Sequence, residues 1–330
     1  MNPAVFQPLE EGLRVECARR ALALWLEARH TGEPFLVAAT AARGELWQGE
    51  LDWLGLEWKN ADAGAQPEWF SRLPALAPAE PSPWGEWSGQ TRLAELRELG
   101  VLPEALLNFL ALTLLDTPPS GELLTRDDLP ALWSPEKLPA APVRFEFELL
   151  RRLNHAWLQP ADLDRLLALA LPYYQRVGWI PEEPTQGVRL WLRDLIRAVL
   201  PGLDFLSLLP PRTRLVFDYQ PESYLRVPES REAMEREGAR EVLRLFGQKA
   251  LEESWLTPDR YREILEELKR ETPWRGRNLQ QPIRVLLTGL PFGPPMEELL
   301  PLIERGAELD LPVRVKSCRE RVLEFCAVFV

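Results

Sequence analysis

The chain has 330 residues, of which 46% are hydrophobic and 27% are charged, and this composition is that of an ordinary globular protein with room for two or three small domains. Its net charge of −11 excludes a uniformly basic nucleic-acid-binding surface, although a local group of arginines can still contact phosphates. The longest apolar run, Leu106 to Leu115, is interrupted by Asn108 and Thr113 and is too short to span a membrane.

Neither metal binding nor export is indicated by the sequence. The three cysteines, at positions 17, 318 and 326, lack metal-binding spacing, and the chain has only two histidines. We therefore predict reduced thiols and no metal site. The first eleven residues carry Glu10 and Glu11 and no basic segment, which is not typical of a signal peptide. The sequence favours a cytoplasmic protein that makes no membrane contact.

The amino-terminal part alternates helices with a short apolar strand. The spacing of apolar residues predicts a helix from Arg14 to His30, a buried strand at residues 35–39 and a second helix from Glu45 to Leu54. A glycine follows each helix closely, as is typical of helix ends. This segment is too small for a complete doubly wound domain, and we interpret residues 1–88 as an α/β fragment.

The rest of the chain predicts helices separated by short proline-marked joints. Pro103 suits a first helical turn, residues 125–128 resemble a capping box, and Thr257 is placed to begin a helix with Pro258. Alternating charges predict one solvated helix over residues 231–245. Loop-like stretches before residue 89 and around residue 186 divide this part into two helical subdomains, 89–185 and 186–330.

Three collinear segments resemble the bacterial glutamyl-tRNA synthetases. Leu96 to Leu112 resembles the segment that enters the anticodon-binding half of that family. Phe145 to Asn154 is similar to a family helix that ends in a Leu-Arg-Trp-Leu-Asn run. Gly276 to Gly289 resembles a Gly-Lys-Ala-Leu turn followed by Pro-Leu-Arg-Val-Ala-Leu-Thr-Gly. The resemblance implies a mainly α protein, with helical class I synthetase anticodon-binding domains preceded by a small α/β remnant of a Rossmann-like catalytic domain.

The same resemblance implies that the catalytic residues are missing. Where the family has its His-Ile-Gly-His-type loop, this chain has Arg14-Val15-Glu16-Cys17, and the carboxylate of Glu16 would repel the phosphates of ATP. Ala38 stands where the family has the arginine that pairs with the substrate carboxylate. The family's lysine loop falls on Pro83-Trp84-Gly85-Glu86-Trp87, which contains no lysine. Loss of one charge-stabilising group typically slows a reaction by ~10²–10³. We expect a truncated relative with no catalytic residue, no cofactor and no aminoacylation activity of its own.

The anticodon half carries the residues that the resemblance assigns to RNA. Loop bases of RNA are read by stacking and by hydrogen bonds to their edges, while arginines hold phosphates. By position, the tRNA-binding candidates are Arg151, Arg152, Asn154, Arg275, Arg277 and Arg284. A structural role is the alternative for several of them, because Arg151 or Arg152 could pair with Glu148 and Asn154 could cap its helix.

Tryptophans beside prolines or glycines are candidate exposed stacking surfaces, with the docking of loops as the alternative. These tryptophans are Trp84, Trp87, Trp179 and Trp274.

Three functions are compatible with these observations. The first is a non-catalytic protein that binds the anticodon arm of a tRNA, with tRNA-Glu as a candidate. The second is a regulatory or scaffolding protein whose synthetase-derived surface binds a protein partner, which the acidic charge and the apolar segment 322–330 favour. The third is a residual ATP-dependent enzyme completed by a partner. Candidate arginines on one concave face would favour RNA, whereas arginines that are scattered or paired with glutamates would favour a protein partner.

Overall fold

The structure is a computed structural model, and it describes residues 4–8, 12–38, 44–62, 64–81, 83, 85–117 and 123–329. Within these ranges the chain forms sixteen α-helices and five short strands, which confirms the predicted mainly α fold. It divides into two compact units, Met1–Pro160 with Asp204–Ser207, and Ala161–Leu203 with Leu208–Val330. The domain boundaries predicted from the sequence stay a prediction.

The first unit begins with a small α/β layer. Strands β1 (Val5–Phe6), β2 (Leu36–Ala38) and β3 (Lys59–Ala61) form a parallel sheet in the order β1-β2-β3. Parallel neighbours need crossover connections, and helices α1 (Val15–Thr31) and α2 (Gly44–Leu54) supply them. The predicted α/β fragment is confirmed, including the glycine that ends α1, since Gly32 has a φ of 76°.

Four further helices complete the first unit, together with a pair of strands that the sequence did not predict. Strands β4 (Leu76–Ala77) and β5 (Val143–Arg144) pair in parallel, and two-residue strands give no periodic signal. The helices are α3 (Leu93–Leu99), α4 (Pro103–Leu112), α5 (Leu129–Leu132) and α6 (Phe147–Leu158). Pro103 occupies the first turn of α4, as predicted. Residues 125–128 form a turn that precedes α5, because the side chain of Asp128 accepts hydrogen bonds from Thr125.

The second unit is helical throughout the part that the structure describes. Helix α14 packs against α11, α12 and α16, and α8 packs against α7 and α15. Thr257 caps α13 by accepting a hydrogen bond from the amide of Arg260, as the sequence predicted. The ten helices are α7 (Leu163–Arg176), α8 (Gln186–Val199), α9 (Leu209–Phe217), α10 (Pro221–Tyr224), α11 (Pro228–Glu235), α12 (Ala239–Ala250), α13 (Pro258–Glu271), α14 (Gly276–Thr288), α15 (Met296–Ala307) and α16 (Cys318–Phe329). None of the described helices is both long and apolar enough to cross a membrane.

The single helix predicted over residues 231–245 is wrong. Helix α11 ends at Glu235 and α12 begins at Ala239, because Gly238 has a φ of 82° and breaks the helical path. The ring of Trp274 lies only 2.0 Å from the position that a Cβ atom on Gly238 would occupy. Only glycine therefore satisfies both the backbone angle and the close approach of the tryptophan.

A fully buried arginine anchors the last helix to the core of the second unit. Arg321 donates hydrogen bonds to the carbonyls of Leu215 (2.8 Å), Val216 (2.8 Å), Leu287 (2.8 Å) and Lys316 (2.9 Å). Its guanidinium also lies 4.7 Å from the ring centroid of Tyr219. Burial lowers the pKa of Arg321. The side chain thus satisfies carbonyls near the ends of α9 and α14, which would otherwise be buried without donors.

Candidate nucleic-acid interface

A groove of about 420 Å³ opens in the second unit between α13, α14 and the start of α15. We call it the α13–α14 groove. Two of the predicted tRNA-binding residues, Arg277 and Arg284, line it from α14. The loop between α14 and α15 closes one side and presents Phe292, whose side chain is 57% exposed. The remaining lining residues are Tyr261, Leu265, Gln280, Gln281, Pro291, Gly293, Pro295, Met296 and Glu297.

Two polar groups in the α13–α14 groove are buried without a hydrogen-bond partner in the described structure. These are the Nε atom of Arg284 and the Oε1 atom of Gln281, three positions earlier on the same helix. An unpaired buried polar group costs about 1–3 kcal/mol, so such groups usually meet water or a ligand. Arg284 and Gln281 are thus polar residues of the groove lining that each keep one buried atom without a partner in the described protein.

Arg284 is held in place by the loop that carries Phe292. Its Nη2 atom donates a 2.6 Å hydrogen bond to the carbonyl of Pro294, and burial lowers its pKa. Gly293 has a φ of 134°, and a Cβ atom there would come within 2.8 Å of the Arg284 guanidinium. The glycine thus permits the loop to lie close to the guanidinium of Arg284.

Arg277 lies in the first turn of α14 and is exposed. Within the described part of the chain it makes no hydrogen bond or ion pair. Its charge is therefore available to an anion, beside an exposed aromatic ring and two unpaired polar groups. A cation, a stacking face and polar edge groups are what single-stranded nucleotides require of a protein surface.

Arg275 has a different environment from Arg277, two residues away. Its Nη1 atom donates to the carbonyls of Thr272 (2.7 Å) and Trp274 (2.6 Å), and its Nη2 atom donates to the carbonyl of Lys269. These bonds satisfy carbonyls at and just beyond the end of α13. Arg275 therefore stabilises the connection between α13 and α14.

The candidates on α6, in the first unit, are divided in the same way. Arg151 donates to the carboxylates of Glu148 (2.8 Å) and Asp204 (2.9 Å), and these bonds raise its pKa. Arg152 is exposed and has no partner among the described residues, so the alternative pairing with Glu148 belongs to Arg151 alone. The charge of Arg151 is largely neutralised locally, whereas that of Arg152 is available.

Asn154 is fully buried on α6 and holds two loops of the first unit. Its Oδ1 atom accepts a 2.7 Å hydrogen bond from the amide of Leu102. Its Nδ2 atom donates to the carbonyls of Gly100 (3.3 Å) and Asp204 (2.6 Å). The structure thus gives this side chain three intramolecular hydrogen bonds and a structural role.

The predicted stacking surface on tryptophans is wrong for Trp87. Its ring is buried and stacks on Phe147 at a centroid distance of 5.1 Å. Trp179 is half-buried and stacks on Phe217 at 4.7 Å, and Trp274 donates a 2.8 Å hydrogen bond to Glu241. All three tryptophans therefore pack or bond within the protein, in agreement with the alternative interpretation that they dock loops. Trp84 lies outside the described residues. Sequence reasoning missed Phe292, whose only signal was its place in a loop rich in proline and glycine.

The segment that the resemblance places at the synthetase nucleotide loop makes hydrogen bonds to other parts of the chain. The amides of Val15 and Glu16, at the start of α1, donate 2.9 Å hydrogen bonds to the carbonyls of Thr91 and Gly89. The Glu16 carboxylate accepts from the amide of Leu76 (3.0 Å) and from Arg20 (3.1 Å). The amides of Val15 and Glu16, which could face a phosphate at a helix start, are thus already bonded. Ala38 ends β2, and residues 39–43 lie outside the described ranges.

Among the described residues, no group of three or more histidine, cysteine, aspartate or glutamate side chains is placed to hold a metal ion. The free cysteines are Cys17, Cys318 and Cys326.

Comparison with known proteins places the α13–α14 groove inside a recognised domain. Residues 165–309 match the family described as anticodon binding domain, and this range includes every residue that lines the groove. Together, the helical fold and this match define a protein with a class I synthetase-type anticodon-binding domain.

Two proteins of similar sequence are glutamate–tRNA ligases. The enzyme of Heliobacterium modesticaldum is 31% identical over 249 residues, which are 75% of this chain and 49% of that protein. Glutamate–tRNA ligase 1 of Caldicellulosiruptor saccharolyticus is 29% identical over 215 residues, or 65% and 44% of the two chains. The chain is a glutamyl-tRNA synthetase-like protein, and it spans about half the length of these relatives.

Solved structures show the same fold. The glutamate–tRNA synthetase of Elizabethkingia anophelis superposes with a TM-score of 0.66 at 12% identity, over 98% of this chain and 99% of that one. A glutamate–tRNA ligase from Elizabethkingia meningosepticum gives a TM-score of 0.63 at 12% identity, over 99% of both chains.

Proposed function

We propose that this protein binds the anticodon arm of a tRNA, with tRNA-Glu as the first candidate, through the α13–α14 groove. The observation that carries the proposal is the coincidence of Arg277, the unpaired groups of Arg284 and Gln281, and the exposed ring of Phe292 in one concavity. An unstacked base on Phe292 would present its edge to the side chains of Gln281 and Arg284, while Arg277 would hold a phosphate. A cytoplasmic location, where tRNA is found, is part of the proposal.

The second part of the proposal is that the chain binds tRNA without aminoacylating it. The hydrogen bonds of Val15 and Glu16 at the start of α1 support this part, because they occupy amides that could otherwise meet a nucleotide phosphate. The carboxylate of Glu16 adds a negative charge at the same place. The expected result is no exchange of pyrophosphate into ATP above background in the presence of glutamate and tRNA. Exchange above background would overturn this part and favour the residual enzyme.

Binding is tested by titrating the purified chain with tRNA-Glu and with a panel of other tRNAs at several salt concentrations. We expect saturable binding to tRNA-Glu that weakens linearly with the logarithm of salt, as phosphate contacts require. Substitutions Arg277→Gln and Phe292→Ala should each weaken binding. Arg262→Gln on α13 is the matched control, since Arg262 is exposed and does not line the groove.

A protein partner remains the second candidate because of one specific feature. Leu323 and Val328 on α16 are 50% and 44% exposed, and exposed apolar side chains on one helix are compatible with a protein contact. Absence of tRNA binding even at low salt would reject the first proposal and favour this candidate.

A further inference from the structure

A second groove in the same unit, of about 530 Å³, is lined by residues of α11, α12 and α16. We call it the α11–α12 groove. None of its lining residues lines the α13–α14 groove. Three of them are arginines, namely Arg231, Arg236 and Arg240. Its volume is within the range of sites for small organic ligands.

Two of the three guanidinium groups in the α11–α12 groove have no carboxylate partner and could bind an anion. Arg231 is exposed and donates to the carbonyl of Arg226, and Arg240 is exposed and lies over the ring of Phe329. Neither forms an ion pair with a carboxylate of the described residues. Of the two acidic residues in the lining, Glu241 accepts a 2.8 Å hydrogen bond from Trp274. The lining therefore carries three positive and two negative side chains in a protein whose net charge is −11.

Arg236 contributes a donor that has no acceptor within the described structure. Its Nη2 atom donates a 2.7 Å hydrogen bond to Glu232, but its Nε atom is buried and unpaired. A buried guanidinium N–H without a partner in the protein is costly and usually meets water or a bound acceptor. Phosphate oxygens match such a donor, since guanidinium groups bind phosphate through two or more hydrogen bonds.

The rest of the groove is apolar and includes one aromatic ring. Met234 and Ala239 are buried in its floor, and Leu225 is half-buried at its side. The guanidinium of Arg240 lies 5.5 Å from the ring centroid of Phe329. A planar guanidinium that rests on an aromatic ring presents its other face for stacking by a flat molecule.

We propose that the α11–α12 groove binds a nucleotide. The phosphate contacts Arg231 and the partly exposed guanidinium of Arg236, and the base stacks on Arg240, whose guanidinium rests on the ring of Phe329. The same chemistry can come from a free mononucleotide or from one nucleotide unit of a bound RNA. The site is separate from the α13–α14 groove, and the free-nucleotide form of the proposal does not require tRNA binding.

The experiment uses the full chain and isothermal titration calorimetry with AMP, adenosine and inorganic phosphate at low salt. We expect saturable AMP binding that is tighter than binding of either fragment, because the phosphate and the base have separate contacts. The double variant Arg231→Gln/Arg240→Gln should weaken AMP binding by about tenfold or more through the loss of charge-assisted hydrogen bonds and stacking. Arg244→Gln is the matched control on the same helix, since Arg244 is exposed and outside the groove.

A second titration with tRNA distinguishes the two sources. Saturable AMP binding that the double variant loses and Arg244→Gln retains supports a free nucleotide. Absence of AMP binding, with tRNA binding weakened by the double variant and not by Arg244→Gln, supports an RNA nucleotide. If AMP does not bind and tRNA binding is weakened by Arg277→Gln but not by the double variant, the tRNA proposal stands and the nucleotide site is overturned. Equal effects of the double variant and Arg244→Gln, or no effect on either ligand, also overturn it. Circular dichroism confirms that each variant is folded.

Discussion

The amide nitrogen of Asn154 lies 2.6 Å from the carbonyl oxygen of Asp204, fifty residues further along the chain. The carboxylate of the same aspartate accepts a hydrogen bond from Arg151. Asn154 and Arg151 were predicted as tRNA-binding residues, which stays a prediction, and both make hydrogen bonds to Asp204, which belongs to the first unit. The segment that resembles a synthetase helix thus also holds its own unit together.

The first prediction concerns Asn154→Ala. The substitution removes a fully buried side-chain amide. The backbone N–H of Leu102 and the backbone carbonyls of Gly100 and Asp204 then lose this hydrogen-bond partner. We expect the free energy of unfolding to fall by about 2–4 kcal/mol, because buried groups that lose partners cost about 1–3 kcal/mol each and partly relax. Urea unfolding followed by circular dichroism measures the change.

Arg152→Gln is the control for that variant. Arg152 lies on the same helix, is exposed and has no partner among the described residues, so we expect a change within about 0.5 kcal/mol. If Asn154→Ala were as stable as Arg152→Gln, the hydrogen bonds of Asn154 would contribute little and its structural role would be refuted.

The second prediction concerns the salt dependence of tRNA binding. Arg277 has no partner in the described structure, so its loss should remove one phosphate contact and nothing else. The slope of log K against log salt should therefore decrease by about 1 in Arg277→Gln. Phe292→Ala should weaken binding by about 1–3 kcal/mol at unchanged slope, since stacking releases no counterions. Fluorescence anisotropy of labelled tRNA measures both.

The two variants separate charge from stacking. A decreased slope in Phe292→Ala, or an unchanged slope in Arg277→Gln, would contradict the assignment of these roles within the α13–α14 groove.

Long amphipathic helices could be predicted from the sequence because one face of each is apolar. Helix α1 extends over Val15–Thr31, close to the predicted 14–30, and its terminal Gly32 was identified from its residue type. The break at Gly238 was missed, since a glycine within a charged stretch is compatible with a helix until Trp274 packs against it. That contact joins residues far apart in sequence, and no local pattern contains it.

The candidate site was predictable only in part, for a similar reason. The resemblance to the synthetase family selected Arg277 and Arg284, which line one groove. It also selected Arg275 and Arg151, which do not, and it could not distinguish the two pairs. What distinguishes them is the acceptor that each meets, namely the carbonyls after α13 for Arg275 and the carboxylate of Asp204 for Arg151. Phe292 gave no periodic signal, because it lies in a loop between two helices.

The third prediction concerns Arg321→Met. The substitution removes the donor to four buried carbonyls in the second unit and replaces it with an apolar chain. We expect the free energy of unfolding to fall by about 3–5 kcal/mol. This is less than the summed cost of four unsatisfied carbonyls, because the substitution also removes the cost of burying a charge. Arg314→Met is the control, since Arg314 is exposed and pairs only at the surface with Glu320, which is worth about 0–1 kcal/mol. A variant Arg321→Met with the stability of the control would contradict the anchoring role of Arg321.

The last prediction concerns the pH dependence of stability and Glu304 on α15. Its side chain is 3% exposed, and burial raises its pKa above 4.5, although hydrogen bonds from Leu256 and Cys318 lower it in part. At pH values between 4.5 and the raised pKa of the folded state, Glu304 carries more protons in the folded protein than in the unfolded chain. Stability contributed by this group is therefore full below pH 4.5 and falls as the pH rises through that window.

Glu304→Gln removes the titration and keeps an oxygen that can accept from the amide of Leu256. We expect the variant to lose the decline in stability above pH 4.5 that Glu304 contributes, so that the difference from the unmodified protein shifts in favour of the variant as the pH rises from 4 to 7. Urea midpoints measured at intervals across this range test it. A difference that is constant with pH would show that Glu304 titrates alike in the folded and unfolded chains, and burial would then not govern its charge.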